Sequence, residues 1–122
     1  MAASLTLNII AQLLGLGKEI DFIDRFTLTQ TPALATQNYK TQAVADTEEA
    51  LDLGGVSTVD LIVIKAVTND LIIDTSYAAA TFSTEIIVPE GETRVFTPGG
   101  TVYVMNEDAA EQATYEYIVI GR

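Results

Sequence analysis

Apolar and polar residues alternate along three stretches of the chain, which predicts strands with one face packed against a core. The first stretch covers residues 20–28, where Asp24 alone breaks the pattern, and the others cover residues 82–88 and 115–119. The apolar positions are Ile20, Phe22, Phe26, Leu28, Phe82, Ile86, Val88, Tyr115, Tyr117 and Val119. Each stretch is therefore expected to form a strand with one side facing water.

Residues 59–65 carry apolar side chains on both faces from Leu61 to Ile64, which is typical of a central strand covered on both sides. Residues 71–73 and 101–105 are shorter runs rich in β-branched and aromatic residues. Turn-forming residues separate the runs at intervals of about 8 to 12 residues, a spacing that suits a sandwich or barrel. These turns are Gly54-Gly55, Thr68-Asn69-Asp70, Pro89-Glu90-Gly91 and Pro98-Gly99-Gly100. No segment between strands resembles the crossover helix that a parallel α/β sheet requires.

The pattern thus predicts one all-β domain over residues 1–122, an antiparallel β-sandwich of about eight strands. Its core is expected to contain Phe22, Leu61, Val63, Phe82, Ile86, Val102, Tyr117 and Val119. Residues 4–16 fit a strand or a helix, with a strand preferred, so residues 1–18 form an N-terminal arm or the first strand. Residues 31–42 include Pro32 and are either a long connection or an edge strand.

Composition limits the possible functions more than it identifies one. The 122 residues are 48% hydrophobic, enough for a core without disulfides or a structural metal, and there is neither His nor Cys. Six basic and 17 acidic residues give a net charge of −11, which disfavours nucleic acid and anionic membranes as partners. The apolar run at residues 5–16 has no preceding basic residue and is shorter than the roughly 20 residues of a membrane span. We expect a soluble protein without a targeting segment.

Acidic side chains offer the only dense group of candidate ligands. Four carboxylates lie between Asp46 and Asp52, and calcium prefers oxygen ligands of this kind. The central glycine of a calcium loop is absent, so a solvated acidic loop is the preferred interpretation over a cation site. Other acids could form a catalytic pair, but such pairs arise by chance among 17 acids. These are Glu85, Glu90, Glu92 and Glu116. No catalytic, cofactor-binding or metal-binding residue is therefore assigned.

The basic and aromatic residues also have simple structural interpretations. Lys65 follows the most apolar run and is interpreted as a strand-end lysine that reaches solvent, not as a buried nucleophile. Arg94 and Arg122 are expected to pair with neighbouring carboxylates, and Gly99-Gly100 lacks the nearby Lys of a phosphate-binding loop. The tyrosines could stack on sugars or fill a core. They are Tyr39, Tyr77, Tyr103, Tyr115 and Tyr117, of which Tyr103 and Tyr115 are the candidates for a sugar-binding face.

Three segments, residues 50–69, 89–96 and 117–122, resemble small virion proteins of tailed bacteriophages, and the head decoration (cement) proteins most of all. The resemblance implies a jelly-roll-like sandwich that assembles, often as a trimer, on the capsid shell and binds the major capsid protein. The net charge of −11 predicts the outer surface of the capsid, because packed DNA would repel the protein inside. The resemblance implies no catalytic residue, metal or cofactor. The positions that carry it are expected to form the fold: Leu51, Leu53, Gly54, Gly55, Ile62, Ile64 and Lys65.

Other functions remain open from the sequence. Neck, tail and fibre-base proteins of phages use similar sandwiches, and a carbohydrate-binding module is the alternative from another class. The mean hydropathy is positive, which is high for a small soluble chain and predicts a homo-oligomer that covers some apolar surface.

Overall fold

The computed structural model describes residues 3–15, 17, 20–42, 47–108 and 111–122, and all regular structure within them is β. There are ten strands among the described residues. They are β1 (Thr6–Leu13), β2 (Ile20–Thr27), β3 (Leu34–Gln42), β4 (Glu49–Ala50), β5 (Val59–Thr68), β6 (Leu71–Asp74), β7 (Ile86–Val88), β8 (Thr93–Phe96), β9 (Tyr103–Asn106) and β10 (Ala113–Gly121). The chain divides into two compact units, Met1–Pro32 and Ala33–Arg122. The sequence had predicted a single domain.

The first unit is an antiparallel hairpin. Strands β1 and β2 pair without a register shift from Thr6 opposite Thr27 to Leu13 opposite Ile20. A backbone hydrogen bond of 3.0 Å from Leu28 N to Leu5 O extends the ladder by one step. The preference for a strand over a helix in residues 4–16 is therefore confirmed for Thr6–Leu13, while residue 16 lies outside the described residues.

The second unit contains two four-stranded antiparallel sheets, in the orders β3-β10-β5-β8 and β4-β9-β6-β7. Strands that follow one another in the chain mostly lie in different sheets, and each sheet interleaves early and late strands. This order is that of an eight-stranded jelly roll. The predicted jelly-roll-like sandwich is confirmed, and its eight strands lie in residues 33–122 while the hairpin adds two more.

The inner faces of the two sheets form the core. From one sheet, β5 and β10 contribute Ile62, Ile64, Ala66, Tyr115, Tyr117 and Val119; from the other come Leu71, Ile73, Val88 and Val104. All of these side chains are almost fully buried. Strand β5 lies between β10 and β8, so the run at residues 59–65 is an interior strand, as its apolar character predicted. Strand β3 is the edge strand that was one alternative for residues 31–42.

The predicted core is correct in part. Leu61, Val102, Tyr117 and Val119 are buried, and Ile86 packs against the core. Val63 and Phe82 are only partly buried. Phe22 is 56% exposed because it belongs to the hairpin and not to the sandwich, so its assignment to the core was wrong.

A loop replaces most of the strand expected at residues 82–88. The carboxylate of Asp74 is buried and accepts hydrogen bonds from Ser76 N (2.9 Å) and Ser83 N (2.8 Å). Glu85 accepts bonds from the Thr75 hydroxyl and from Thr75 N (2.9 Å). These local bonds satisfy the loop backbone without a neighbouring strand, which leaves only Ile86–Val88 as strand β7.

Gly121 is required where the chain passes close to Thr58. The register between β10 and β5 shifts at this point, and a Cβ on residue 121 would lie 2.0 Å from Thr58 O. We predict that Gly121→Ala lowers the free energy of unfolding by about 2 to 3 kcal/mol, because backbone must move to admit the methyl group. Gly99→Ala is the matched control, since a Cβ there meets nothing within 4 Å. Urea unfolding checks both; equal stability of the two variants would contradict the predicted clash.

The tip of the loop after β6 holds two alanines in a left-handed conformation. Ala79 (φ 55°) and Ala80 (φ 53°) lie between Ala78 and Thr81, which form an isolated antiparallel bridge. Such turns favour Asn-Gly, because positive φ is costly for alanine. The double variant Ala79→Asn, Ala80→Gly should stabilise the protein by about 1 kcal/mol. A melting temperature at or below that of the parent protein would contradict this expectation.

Candidate functional site

The two faces of the hairpin differ sharply in polarity. Residues directly opposite each other in an antiparallel pair share a face, and neighbours along a strand alternate between faces. One face carries Leu7, Ile9, Ala11, Leu13, Phe22 and Phe26, with Asp24 among them. We call this set the apolar face of the hairpin. The opposite face carries Thr6, Asn8, Gln12, Asp21, Arg25 and Thr27, together with Ile10 and Ile23.

Several side chains of the apolar face are exposed in the structure. Leu7 is partly buried, Ile9 and Phe26 are 36–37% exposed, Leu13 is 43% exposed and Phe22 is 56% exposed. A two-stranded hairpin is at best marginally stable in water, and exposed apolar surface of this kind marks an interaction site. The apolar face is therefore the strongest candidate functional surface among the described residues.

Asp24 is the one charged residue on the apolar face. It lies opposite Ile9 in the ladder, and its Oδ1 accepts a 2.8 Å hydrogen bond from Arg25 N. The sequence shows that Asp24 breaks the alternation. The pairing register is needed to place its carboxylate on the apolar face. A carboxylate within an apolar surface raises the cost of covering that surface.

A second candidate is an acidic depression at one end of the sandwich, with a volume of about 400 Å³. It is lined by Asn69, Asp70, Glu90, Asn106, Glu107, Asp108 and Glu111. Its carboxylates bond to the local backbone: Asp70 Oδ1 accepts from Glu90 N (2.8 Å), and Glu90 Oε2 accepts from Asn69 N (3.2 Å). These bonds fix the turns between strands. The described residues contain no group of three or more side chains placed to hold a metal ion.

Glu48 and Asp52, two of the described acids in the cluster at residues 46–52, have separate partners. Asp46 lies outside the described residues. Glu48 accepts a 3.1 Å bond from the Tyr77 hydroxyl, whereas Asp52 accepts from Gly54 N (2.9 Å) and lies 3.9 Å from Lys40 Nζ. Glu48 therefore contacts a tyrosine of another segment, whereas Asp52 fixes the turn at Gly54.

The other polar candidates have structural partners. Arg94 pairs with Glu92 (2.8 Å) and Arg122 with Asp60 (2.9 Å), as predicted. Lys65 lies within β5 and not at its end, opposite Glu116 of β10. Hydrogen bonds from Ser76 and Thr75 hold the Glu85 carboxylate against the loop after β6. The same bonds stabilise its charged form and so lower the pKa of Glu85.

The tyrosines do not form a shared sugar-binding face. Tyr115 and Tyr117 lie in the core, where burial raises the pKa of both phenols. The Tyr117 hydroxyl donates to Asp52 O (2.8 Å). Tyr103 stacks on Tyr77 with ring centroids 3.6 Å apart. Tyr115, one of the two residues named for such a face, is therefore unavailable to a ligand.

No protein-family model, curated protein or solved structure matches this chain. None of the described residues forms a helix that could cross a membrane. The molecule is thus characterised by its own architecture, a jelly-roll sandwich preceded by an amphipathic hairpin.

The buried phenol of Tyr115 predicts how stability depends on alkaline pH. Its pKa is raised in the folded state, so its contribution is fully present below the ordinary value of about 10 and is lost as pH rises above that value, where only the unfolded chain ionises. We expect Tyr115→Phe to lose less stability than the parent protein between pH 8 and pH 11. Urea unfolding at both pH values measures this, with Tyr39→Phe at an exposed position as the control. An unchanged pH dependence in Tyr115→Phe would contradict the assignment.

Proposed function

We propose that this chain is a non-enzymatic structural protein of a tailed-bacteriophage particle, which assembles as a homo-oligomer, a trimer by resemblance, on the outer surface of the head. It binds the major capsid protein and stabilises the shell. The observation that carries the proposal is the apolar face of the hairpin, which lies outside the eight strands of the sandwich and remains exposed. Exposed apolar surface is one of the marks of a site where proteins associate.

The jelly-roll architecture supports the same role. Capsid proteins commonly use this fold, and the sequence segments that resemble decoration proteins lie mostly in the sandwich. Gly54 has φ 60°, and Thr36 lies only 2.5 Å from the place of a Cβ, so the turn in this segment requires glycine. Fold alone does not determine function, so the hairpin and the charge distribution carry the argument further.

The charge of the protein favours the outside of the shell. The net charge is −11, and residues 33–122 hold fourteen of the 17 acidic residues but only four of the six basic ones. A subunit of this charge would be repelled by the DNA inside a filled head. The outer surface imposes no such repulsion.

Stabilisation follows from mass action and needs no catalytic group. A protein that binds the assembled shell and not its separated subunits raises the free energy required to open it. The gain grows with the affinity and with the fraction of sites occupied. A subunit that bridges neighbouring capsid proteins has this property.

Neck, tail and fibre-base positions in the particle are the nearest alternatives, and they share the same structural class. The carbohydrate-binding module is less well supported, because Tyr115 is in the core and Tyr103 is stacked on Tyr77. Saturable binding of glycans by the isolated protein, lost on Tyr103→Ala, would favour the module instead.

The proposal predicts where the chain lies in the particle and what its removal does. A cryo-EM map of the source virion should show the protein on the outer face of the head. Particles stripped of it should lose DNA at lower temperature and under milder osmotic shock, and adding back the purified protein should restore their resistance. Density at the tail or on the inner face of the shell would contradict the placement. Stripped particles of unchanged resistance would contradict the stabilising role.

A further inference from the structure

We infer that copies of this chain associate with one another through the apolar face of the N-terminal hairpin and not through the acidic sandwich. The inference rests on the proposed function, since it specifies the contact by which the proposed homo-oligomer forms. Its strongest basis is the amphipathic register of β1 and β2, in which six apolar residues and a single carboxylate share one exposed face.

The hairpin is incomplete as an isolated β-structure. Within the described residues its sheet contains only β1 and β2, so each strand has one edge without a partner in that sheet. Three or more strands, or a second layer, are needed for a β-structure to be stable in water. An unpaired edge is also a template for another strand. The hairpin therefore requires an occupant for its face and its edges.

The charge distribution identifies a second copy as that occupant. Residues 1–32 contain three acidic and two basic residues, so this unit is nearly neutral, while residues 33–122 contain fourteen acidic and four basic residues. Two copies in contact through their sandwiches would repel each other, because both sandwiches are negatively charged. The repulsion is smaller when the two copies are in contact through their nearly neutral hairpins. A basic partner protein would be drawn to the sandwich instead, because the negative charge lies there.

The geometry of the hairpin permits closure of such an assembly. One free edge of the hairpin belongs to β1 and the other to β2, and the two strands run in opposite directions. The free edge of β1 in one copy can therefore form an antiparallel pair with the free edge of β2 in the next copy. Repetition about a rotation axis gives a closed ring with no edge left over, and the apolar faces then turn toward the axis.

Size argues for more than a single face-to-face contact. A two-stranded face of eight residue pairs has a footprint of roughly 27 by 10 Å, from the usual strand rise and spacing. Stable interfaces bury about 800 Å² per partner, so one stacked pair of faces falls short. A ring gives each copy two neighbours and pairs its edges as well, which favours a ring of at least three copies over a dimer.

Asp24 should limit the strength of this association. Its carboxylate lies among apolar side chains, so closing the interface removes it from water and places like charges from different copies near one another. Replacing it with an apolar residue should therefore tighten the assembly. An occupant that placed a basic side chain against Asp24 would give the opposite result.

The test compares two neighbouring residues that point to opposite faces. Phe22→Asp places a charge on the apolar face, whereas Ile23→Asp places the same charge at a more exposed position (75%) on the other face. The full-length variants are examined by light scattering and analytical ultracentrifugation across a range of concentrations. We expect Phe22→Asp to weaken association about 10- to 100-fold, Ile23→Asp to leave it near that of the parent protein, and Asp24→Leu to strengthen it. Circular dichroism and thermal melting confirm that each sandwich remains folded.

Several results would overturn the inference. They are a parent protein that is monomeric at every concentration, a Phe22→Asp variant as oligomeric as the parent, equal dissociation of Phe22→Asp and Ile23→Asp, or a weaker assembly of Asp24→Leu. Should Phe22→Asp unfold, the gain expected from Asp24→Leu still decides the question. The position of the protein on the phage particle is measured separately. A head protein that does not associate through its hairpin would overturn this inference and leave the proposed function standing.

Discussion

Strand β10 lies between β3 and β5 and pairs with both along its length, from Ala113 opposite Gln42 to Gly121 opposite Leu34 and Val59. The last strand of the chain thus occupies the interior of its sheet, and the inner side chains of that strand form much of the core. Because its paired residues lie 46 to 87 positions earlier in the sequence, the sandwich closes only when distant segments have come together. Topologies of this kind fold slowly, since loop-closure entropy is lost before the contacts compensate for it.

The end of β10 shows how tightly this arrangement constrains the chain. Gly121 O accepts a 2.8 Å hydrogen bond from Ala33 N, and Arg122 exchanges bonds with Thr58 in both directions at 2.8 and 2.9 Å. The Arg122 side chain adds a pair to Asp60, whose own side chain is largely buried. One short segment therefore ties the start of the sandwich, the loop before β5 and the last strand together, and a side chain at residue 121 has no space. The tyrosines of the same strand require burial, which makes them parts of the fold and not of a binding surface.

The sequence allowed much of this fold to be predicted, because alternation, β-branched runs and turn residues agree there. Strand β5, the Asn69 and Gly91 turns and the core position of Tyr117 follow from such local signals. Phe22 was misplaced because alternation identifies an amphipathic strand without saying what covers its apolar side. Phe82 was misplaced because the bonds accepted by Asp74 and Glu85 stabilise a loop where alternation indicated a strand. The apolar face itself could be predicted from Phe22 and Phe26, but its exposure depends on which sheet those residues join.

The hairpin and the sandwich therefore differ in how they treat apolar surface and in the charge that they carry. The sandwich has its own hydrophobic core and carries nearly all of the net charge, so copies of it repel one another. The hairpin leaves its apolar surface open, which suits assembly but also invites unlimited strand pairing between molecules. A charge that points into an apolar face is one of the devices by which natural sheets limit such pairing, and Asp24 has that position. In the proposed homo-oligomer this carboxylate would limit uncontrolled strand pairing, while the apolar side chains around it would supply the contact.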